Sequence, residues 1–230
     1  MLGFTVERPL LIFITDTSRT EEETERLAEA VIRGGVDWIH LRDKNASAAK
    51  LYRTALLLRQ VTARERALFS VNDRIDVALA AGADGVHLGG ESLPPDVVQK
   101  LLPPGTLVGA SVHSVTEAEA AEEAGVDYVF FGHVFATSSK PGLPPRGIEA
   151  LKEVVDAVQI PVFAIGGIKA ENVFLTLQAG AKGVAVIGAL RDSSKPEEAA
   201  RELRRALRGA AGKAHPFKGG MRGGKAWPGL

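Results

Sequence analysis

Short apolar runs punctuate this chain at residues 10–15, 67–72, 107–112 and 162–165, separated by longer segments of mixed polarity. Runs of that length read as strands covered on both faces, the habit of parallel sheets flanked by helices. Four more strands are announced by a recurring phrase: Gly35-Val36-Asp37-Trp38-Ile39, Gly82-Ala83-Asp84-Gly85-Val86, Gly125-Val126-Asp127-Tyr128-Val129 and Gly180-Ala181-Lys182-Gly183-Val184. Each phrase closes a helix and opens a strand. Glycine supplies the left-handed position after a helix end, and the residues that follow suit a buried strand.

The phrases recur at the spacing of two βα units, which brings the total to eight strands. Helices are expected between them, three with capping-box starts: Thr20 with Glu23, Ser114 with Glu117, and Ser194 with Glu197, where Pro196 suits a first turn. Eight strands alternating with helices predict an α/β protein of one domain, a (βα)8 TIM barrel over residues 1–208, in preference to a doubly wound open sheet. From Gly209 onward Gly, Lys, Arg and Pro replace the pattern, with Phe217 and Trp227 isolated among them. Residues 209–230 are expected to form a disordered, Gly-rich basic tail.

Composition narrows the partners. Lys plus Arg number 28 and Asp plus Glu number 28, so the long-range positive field that nucleic acid or an anionic membrane would demand is missing. Small molecules are the expected ligands, and a homodimer is left open. The absence of cysteine excludes disulfides, thiolate metal sites and cysteine nucleophiles, and suits a cytoplasmic location. The apolar run at residues 10–14 is too short and wrongly flanked for a signal peptide, and no run approaches the roughly 20 residues of a membrane span.

Barrels of this type build their sites from the C-terminal strand ends and the loops that follow. The second strand ends His40-Leu41-Arg42-Asp43-Lys44, where period-two alternation sends His40, Arg42 and Lys44 one way and Leu41 the other. The third ends Ser70-Val71-Asn72-Asp73, the fourth Val86-His87-Leu88-Gly89 and the fifth Gly109-Ala110-Ser111-Val112-His113. Taken singly, His87 or His113 is better read as a satisfied buried polar group than as a functional one. The joint occurrence of polar groups at consecutive strand ends points to a site.

The seventh and eighth strands run into Gly166-Gly167 and Ile187-Gly188, the position at which this fold holds phosphate, with backbone N–H groups approaching the anion. After the sixth strand comes His133 and then a long loop through Thr137, Ser138, Ser139, Lys140 and Arg146, a candidate lid. Histidine titrates closest to neutrality, which makes His133 the candidate for moving a proton.

At these residues the chain resembles the thiamine phosphate synthase and thiazole tautomerase superfamily, over about residues 8–208. The segment from His40 to Lys44 is similar to the synthase Gln-x-Arg-x-Lys, and Val71-Asn72-Asp73 to its Val-Asn-Asp; Gly85-Val86-His87-Leu88-Gly89 and Ser111-Val112-His113-Ser114 also match. The synthase pattern implies Mg2+ held by Asp73 and a second aspartate, but Gly90-Glu91-Ser92 places serine there, with Glu91 one position out of register. Gly132-His133 in place of the synthase Gly-Pro, and His40 in place of Gln, are similar to the tautomerase branch, the TenI-like proteins. Asp73 is synthase-like.

The resemblance implies an isomerase: a thiazole tautomerase of thiamine biosynthesis that aromatises a carboxythiazoline phosphate without metal or cofactor, His133 carrying the proton. His40, Arg42, Lys44, Asn72, Ser111 and Lys140 are then the substrate-binding set for a phosphorylated thiazole. Which of Arg42, Ser111 and Lys140 orients its carboxylate stays open. Gly166, Gly167, Ile187 and Gly188 hold the phosphate. The alternatives are a Mg2+-dependent thiamine phosphate synthase, joining hydroxymethylpyrimidine diphosphate to thiazole phosphate, and a catalytically silent binder of thiazole phosphates.

Overall fold

Eight parallel strands pair in chain order and the last returns to the first, closing a barrel in a computed structural model that describes residues 6–211. The strands are β1 (Leu10–Thr15), β2 (Trp38–Leu41), β3 (Leu68–Asn72), β4 (Gly85–Leu88), β5 (Leu107–Val112), β6 (Tyr128–Gly132), β7 (Val162–Ile165) and β8 (Gly183–Val186). Helices α1 (Glu21–Arg33), α2 (Ala48–Glu65), α3 (Ile75–Ala81), α4 (Pro95–Leu101), α5 (Val115–Glu123), α6 (Gly147–Ala157) and α7 (Val173–Gln178) each follow their strand. A one-turn α8 (Gly188–Arg191) and the long α9 (Pro196–Ala211) complete the outer ring. This is the (βα)8 TIM barrel that the alternation of elements predicts.

The helices start and stop for local reasons. Thr20 caps α1 with both halves of the capping box in place, three glutamates fill the first turn, and Thr24, Leu27, Ala28 and Val31 make the single stripe that faces the barrel. At α5 the Ser114 hydroxyl accepts the Glu117 N–H, but the Glu117 carboxylate reaches one residue further back, to the His113 N–H at 2.7 Å. Helix α9 begins at Pro196, which leaves Ser194 two positions ahead of it, and Ser193 instead accepts the Lys195 N–H. Strand β3 begins one residue later than its apolar run because the Ala67 N–H is bonded to the Thr62 carbonyl, inside the left-handed turn that ends α2 at Arg66. Helix α9 continues through Ala211, past Gly209 where the sequence pattern changes; residues 212–230 of the expected tail lie outside the described residues.

The glycine phrases do more than end helices. Gly35, Gly82, Gly125 and Gly180 all have positive φ, as a helix exit requires. Two residues further on, the aspartates of the first three phrases grip the odd-numbered strands. Asp37 accepts the Leu11 N–H at 2.7 Å, Asp84 the Phe69 N–H at 2.8 Å and Asp127 the Val108 N–H at 2.8 Å. The peptide N–H of each aspartate donates to the carbonyl of that same strand residue, at 2.9, 2.8 and 2.7 Å respectively. The fourth phrase carries Lys182 there and keeps the backbone bond, to Val162 at 2.8 Å.

With the start of each strand pair held this way, alternation sorts the side chains. Leu11, Phe13, Ile39, Leu41, Phe69, Val71, Val86 and Val108 face outward under the helices. Leu10, Ile12, Ile14, Trp38, Leu68, Leu107, Tyr128, Phe130 and Phe163 fill the barrel itself.

Asp37 is the most heavily committed of the three carboxylates, since it also pairs with Arg8 at 2.7 Å and with the buried guanidinium of Arg204 on α9. Asp37→Ala leaves that guanidinium and the Leu11 N–H without their carboxylate, and should lower stability by about 3–5 kcal/mol. A large fall in the urea midpoint at unchanged slope is expected, whereas Lys100→Ala, which breaks an exposed pair with Asp96, should leave the midpoint in place.

Candidate active site

Towards the C-terminal end of the strands the barrel filling turns polar. The register sets His40 of β2 beside Ser70 of β3, and Asn72 beside His87 of β4. His40 Nδ1 lies 2.8 Å from the Ser70 hydroxyl, which also accepts the Trp38 indole N–H at 2.8 Å. His87 Nε2 lies 2.9 Å from the Ser111 hydroxyl and its Nδ1 is 3.3 Å from the Tyr128 hydroxyl, while the ring stacks on Phe130 at 4.2 Å. His40 Nε2 finds no partner among the described residues. Burial holds both rings neutral: His40 is pushed down to about 4, chiefly by desolvation, and His87 well below the ordinary histidine range by desolvation and then by the neighbouring His40 and Arg42.

Above this layer a cavity of about 290 Å³ opens at the barrel mouth, lined by Ile14, Thr15, Asp16, Arg42, Ser138, Ser139, Ile187 and Arg191. The Arg42 N–H bonds to the Thr15 carbonyl at 2.8 Å, so the ends of β1 and β2 stay paired and Arg42 stands next to Asp16. Among the described residues no carboxylate pairs with Arg42; the adjacent Asp43 turns to Thr17, whose hydroxyl it accepts at 2.6 Å. Lys44 leaves the mouth and reaches Glu91 at 3.6 Å on the rim. Lys140 is exposed on the long loop after β6, one residue beyond the two serines that line the cavity.

Asp73 forms a second cluster at the end of β3. It holds a left-handed backbone, φ 58°, a conformation that costs a non-glycine residue roughly 1 kcal/mol and that aspartate tolerates better than most. Its carboxylate accepts from the Asn72 amide, the Ser92 hydroxyl and the Gly89 N–H at 3.1 Å. Serine therefore does stand against Asp73, at the place where the family pattern has a second carboxylate. Among the described residues no group of three or more His, Asp or Glu side chains converges to hold a metal by itself. Asp73 with Ser92 is the oxygen pair that a cation sharing a substrate's phosphate oxygens could use.

His133 lies outside this lining. It is 6% exposed, its Nε2 sits 3.2 Å from the Leu143 carbonyl of the long loop, and its backbone packs against the glycine turn after β7. Gly166 has φ 97°, and a Cβ there would come within 2.2 Å of His133 Cβ; at Gly167, φ 66°, it would come within 2.4 Å of the Ala136 carbonyl oxygen. Both glycines are thus required by the close seating of the β6 loop. Ile187 faces the cavity, and Gly188 starts the one-turn α8, the extra helix that phosphate-binding barrels carry at this point.

The sequence profile of the family described as thiamine monophosphate synthase matches residues 11–190. The chain belongs to this family. A thiamine-phosphate synthase of Chlorobium limicola is 47% identical over 196 residues, spanning 85% of this chain and 92% of the relative. One from Methanoculleus marisnigri is 48% identical over 199 residues, 84% and 93% of the two chains. Among solved structures, a thiamine phosphate pyrophosphorylase from Pyrococcus furiosus superposes with a TM-score of 0.78 at 40% identity, covering 88% of this chain and 96% of its own.

These relatives overturn the expectation of a thiazole tautomerase, and with it that of an isomerase: chains this similar to it over nearly their full length are named as synthases within the thiamine monophosphate synthase family. Two physical facts explain the misdirection. His133, which carried the isomerase expectation, is bonded to the loop carbonyl of Leu143. Ser92, taken as the mark of a lost metal site, still offers an oxygen beside Asp73.

Sequence reasoning also passed over Asp16 and Arg191. Asp16 follows the end of β1 and was legible by the same strand-end rule that found Arg42. Arg191 closes the one-turn α8, too short to leave a periodic signal.

The two neutral histidines give the barrel a pH dependence of definite sign. Between about pH 6.5 and about pH 4 the unfolded chain takes up a proton at His40 while the folded barrel does not, and the depressed His87 acts in the same sense. Their contribution is therefore complete above pH 6.5 and declines as pH falls through this window, by up to ~1.4 kcal/mol per pH unit for each ring. Urea midpoints across that range should drop with acid, and His87→Gln should reduce the slope by about one proton's share.

Proposed function

We propose that this protein is a thiamine phosphate synthase: it joins hydroxymethylpyrimidine diphosphate to thiazole phosphate and releases pyrophosphate. The observation that carries the proposal is Arg42, a guanidinium with no carboxylate partner among the described residues, opening on the same cavity as the lid serines and the β8–α8 turn. A cation so placed suits an anionic leaving group at one end of a cavity whose other end suits a phosphate ester. The relatives' names supply the reaction class.

In the reaction the thiazole ring nitrogen forms a bond to the pyrimidine methylene carbon, the carbon–oxygen bond to the diphosphate breaks, and the electron pair departs with pyrophosphate. Arg42 binds the diphosphate, and Lys140 reaches it from the lid. Backbone N–H groups of Gly166, Gly167, Ile187 and Gly188 hold the thiazole phosphate, with Ser138 and Ser139 adding hydroxyl donors. His40, Asn72 and Ser111 form a polar floor for the pyrimidine, Ser111 held in place by His87. His133 fastens the lid through Leu143.

Asp73 and Ser92 would hold a magnesium ion, since one or two carboxylates suffice when the substrate brings phosphates. Bound there, it would supply positive charge to offset that of the leaving group.

Supplying both substrates with Mg2+ should yield thiamine phosphate and pyrophosphate in equal amounts, measured by fluorescence of the oxidised product and by a pyrophosphate assay. EDTA should abolish turnover. Arg42→Ala and Asp73→Asn should each lower kcat/KM by about 10²-fold or more. No thiamine phosphate from the wild-type protein under these conditions would sink the proposal.

A further inference from the structure

The cavity at the mouth carries a charge that anion binding does not explain. Asp16 lines it together with Arg42 and Arg191, and its carboxylate is fixed from outside the cavity by the Ser18 N–H at 2.9 Å and the Ser18 hydroxyl at 2.5 Å. Burial works to raise the Asp16 carboxyl, but these bonds and the charge of Arg191 outweigh it and keep the group ionised at neutral pH. Arg191 does not cancel that charge. Its guanidinium is shared, donating to Asp192 at 2.8 and 3.3 Å and to Asp16 through a single 3.3 Å contact. Arg19 approaches the far side of this group, donating to the Arg191 carbonyl at 2.5 Å and acting on Asp192.

An ionised, partly compensated carboxylate beside a guanidinium with no carboxylate partner makes the cavity dipolar. Such a wall suits a ligand carrying a cation and an anionic group together. Under the proposed reaction, on which this inference rests, one species has that character: the thiazole nitrogen is neutral in the substrate and becomes a quaternary cation as its bond to the methylene carbon forms, with the phosphate still attached. We infer that Asp16 is the counter-ion of the developing thiazolium, stabilising the charge that appears in the transition state and persists in the product. Nothing is transferred to or from Asp16. Its contribution is electrostatic, made by a carboxylate already oriented before the substrate arrives.

The inference separates two ligands that share a phosphate and differ in ring charge. Calorimetric titration of the full-length protein with N-methylated thiazolium phosphate, the product's cationic ring without its pyrimidine, and with thiazole phosphate should show Asp16→Asn weakening the former by about 5- to 20-fold and the latter by less than about 2-fold. In turnover the same variant should lose about 10- to 100-fold in kcat with little change in KM for thiazole phosphate. Arg191→Gln, which frees more of the Asp16 charge, should shift the binding ratio the opposite way, towards the cationic ligand, and so gives an independent reading should Asp16→Asn fold poorly. Equal weakening of both ligands by Asp16→Asn, or an Arg191→Gln ratio that moves with it rather than against it, would overturn the role assigned to Asp16. A wild-type protein that forms no thiamine phosphate at all would instead remove the reaction and this inference together.

Discussion

Three aspartates at the base of the barrel decide where everything at its mouth can stand. Asp37, Asp84 and Asp127 each hold the N–H and, through their own backbone, the carbonyl of the second residue of β1, β3 and β5. A one-residue slip of either strand in such a pair would break both bonds at once. Because side chains alternate along a strand, the same slip would exchange the barrel filling with the helix-facing surface. Register fixed at the base is therefore orientation fixed at the top. It is what brings His40, Ser70, His87 and Ser111 inward, and Ile39, Leu41, Val71 and Val86 out under the helices.

The inward polar layer is tolerable only because it is nearly closed on itself. Two imidazoles, two serine hydroxyls, an indole and a phenol share hydrogen bonds over a floor of aromatic rings, with Trp38 against Tyr128 at 4.9 Å beneath them. Keeping the imidazoles neutral avoids the cost of burying charge, and it also denies them a role as cations. Positive charge is supplied instead at the next level up, by Arg42 at the mouth and Lys44 at the rim. Neutral polar groups below and full charges above grade the polarity from the barrel interior to its mouth.

Most of the fold could be read from the chain because its signals are periodic and repeated. The glycine phrases located four strands, the apolar runs located the other four, and only the start of β3 moved, by the one residue that α2 claims for its own termination. The aspartate within the phrase was in plain view but has no one-dimensional signature of what it grips, since its partner is a backbone N–H on a strand that lies before it in the chain. Side-chain placement was legible at the strand ends, where alternation turns His40 and Ser111 inward and Arg42 comes to line the cavity, and illegible where a loop decides the direction. Lys44 turns to Glu91 and His133 to Leu143, contacts that depend on how the β4 and β6 loops lie.

The case of His133 shows why a residue's titration range is a weak guide to its task. A histidine near neutrality can move protons, but it can equally fasten a lid by donating to a carbonyl, and only its surroundings distinguish the two. Here the ring bonds the loop carbonyl of Leu143 and is not part of the cavity lining, the turn after β7 has glycines so that the loop can seat against it, and the polar groups that line the cavity include no imidazole. What faces it is charge: one guanidinium with no carboxylate partner among the described residues, one carboxylate, and a second guanidinium divided between two acids. A site furnished in this way is adapted to the creation and separation of charge rather than to the passage of a proton. Displacement of pyrophosphate by a neutral ring nitrogen, which produces an anion and a cation from one step, is chemistry of that kind.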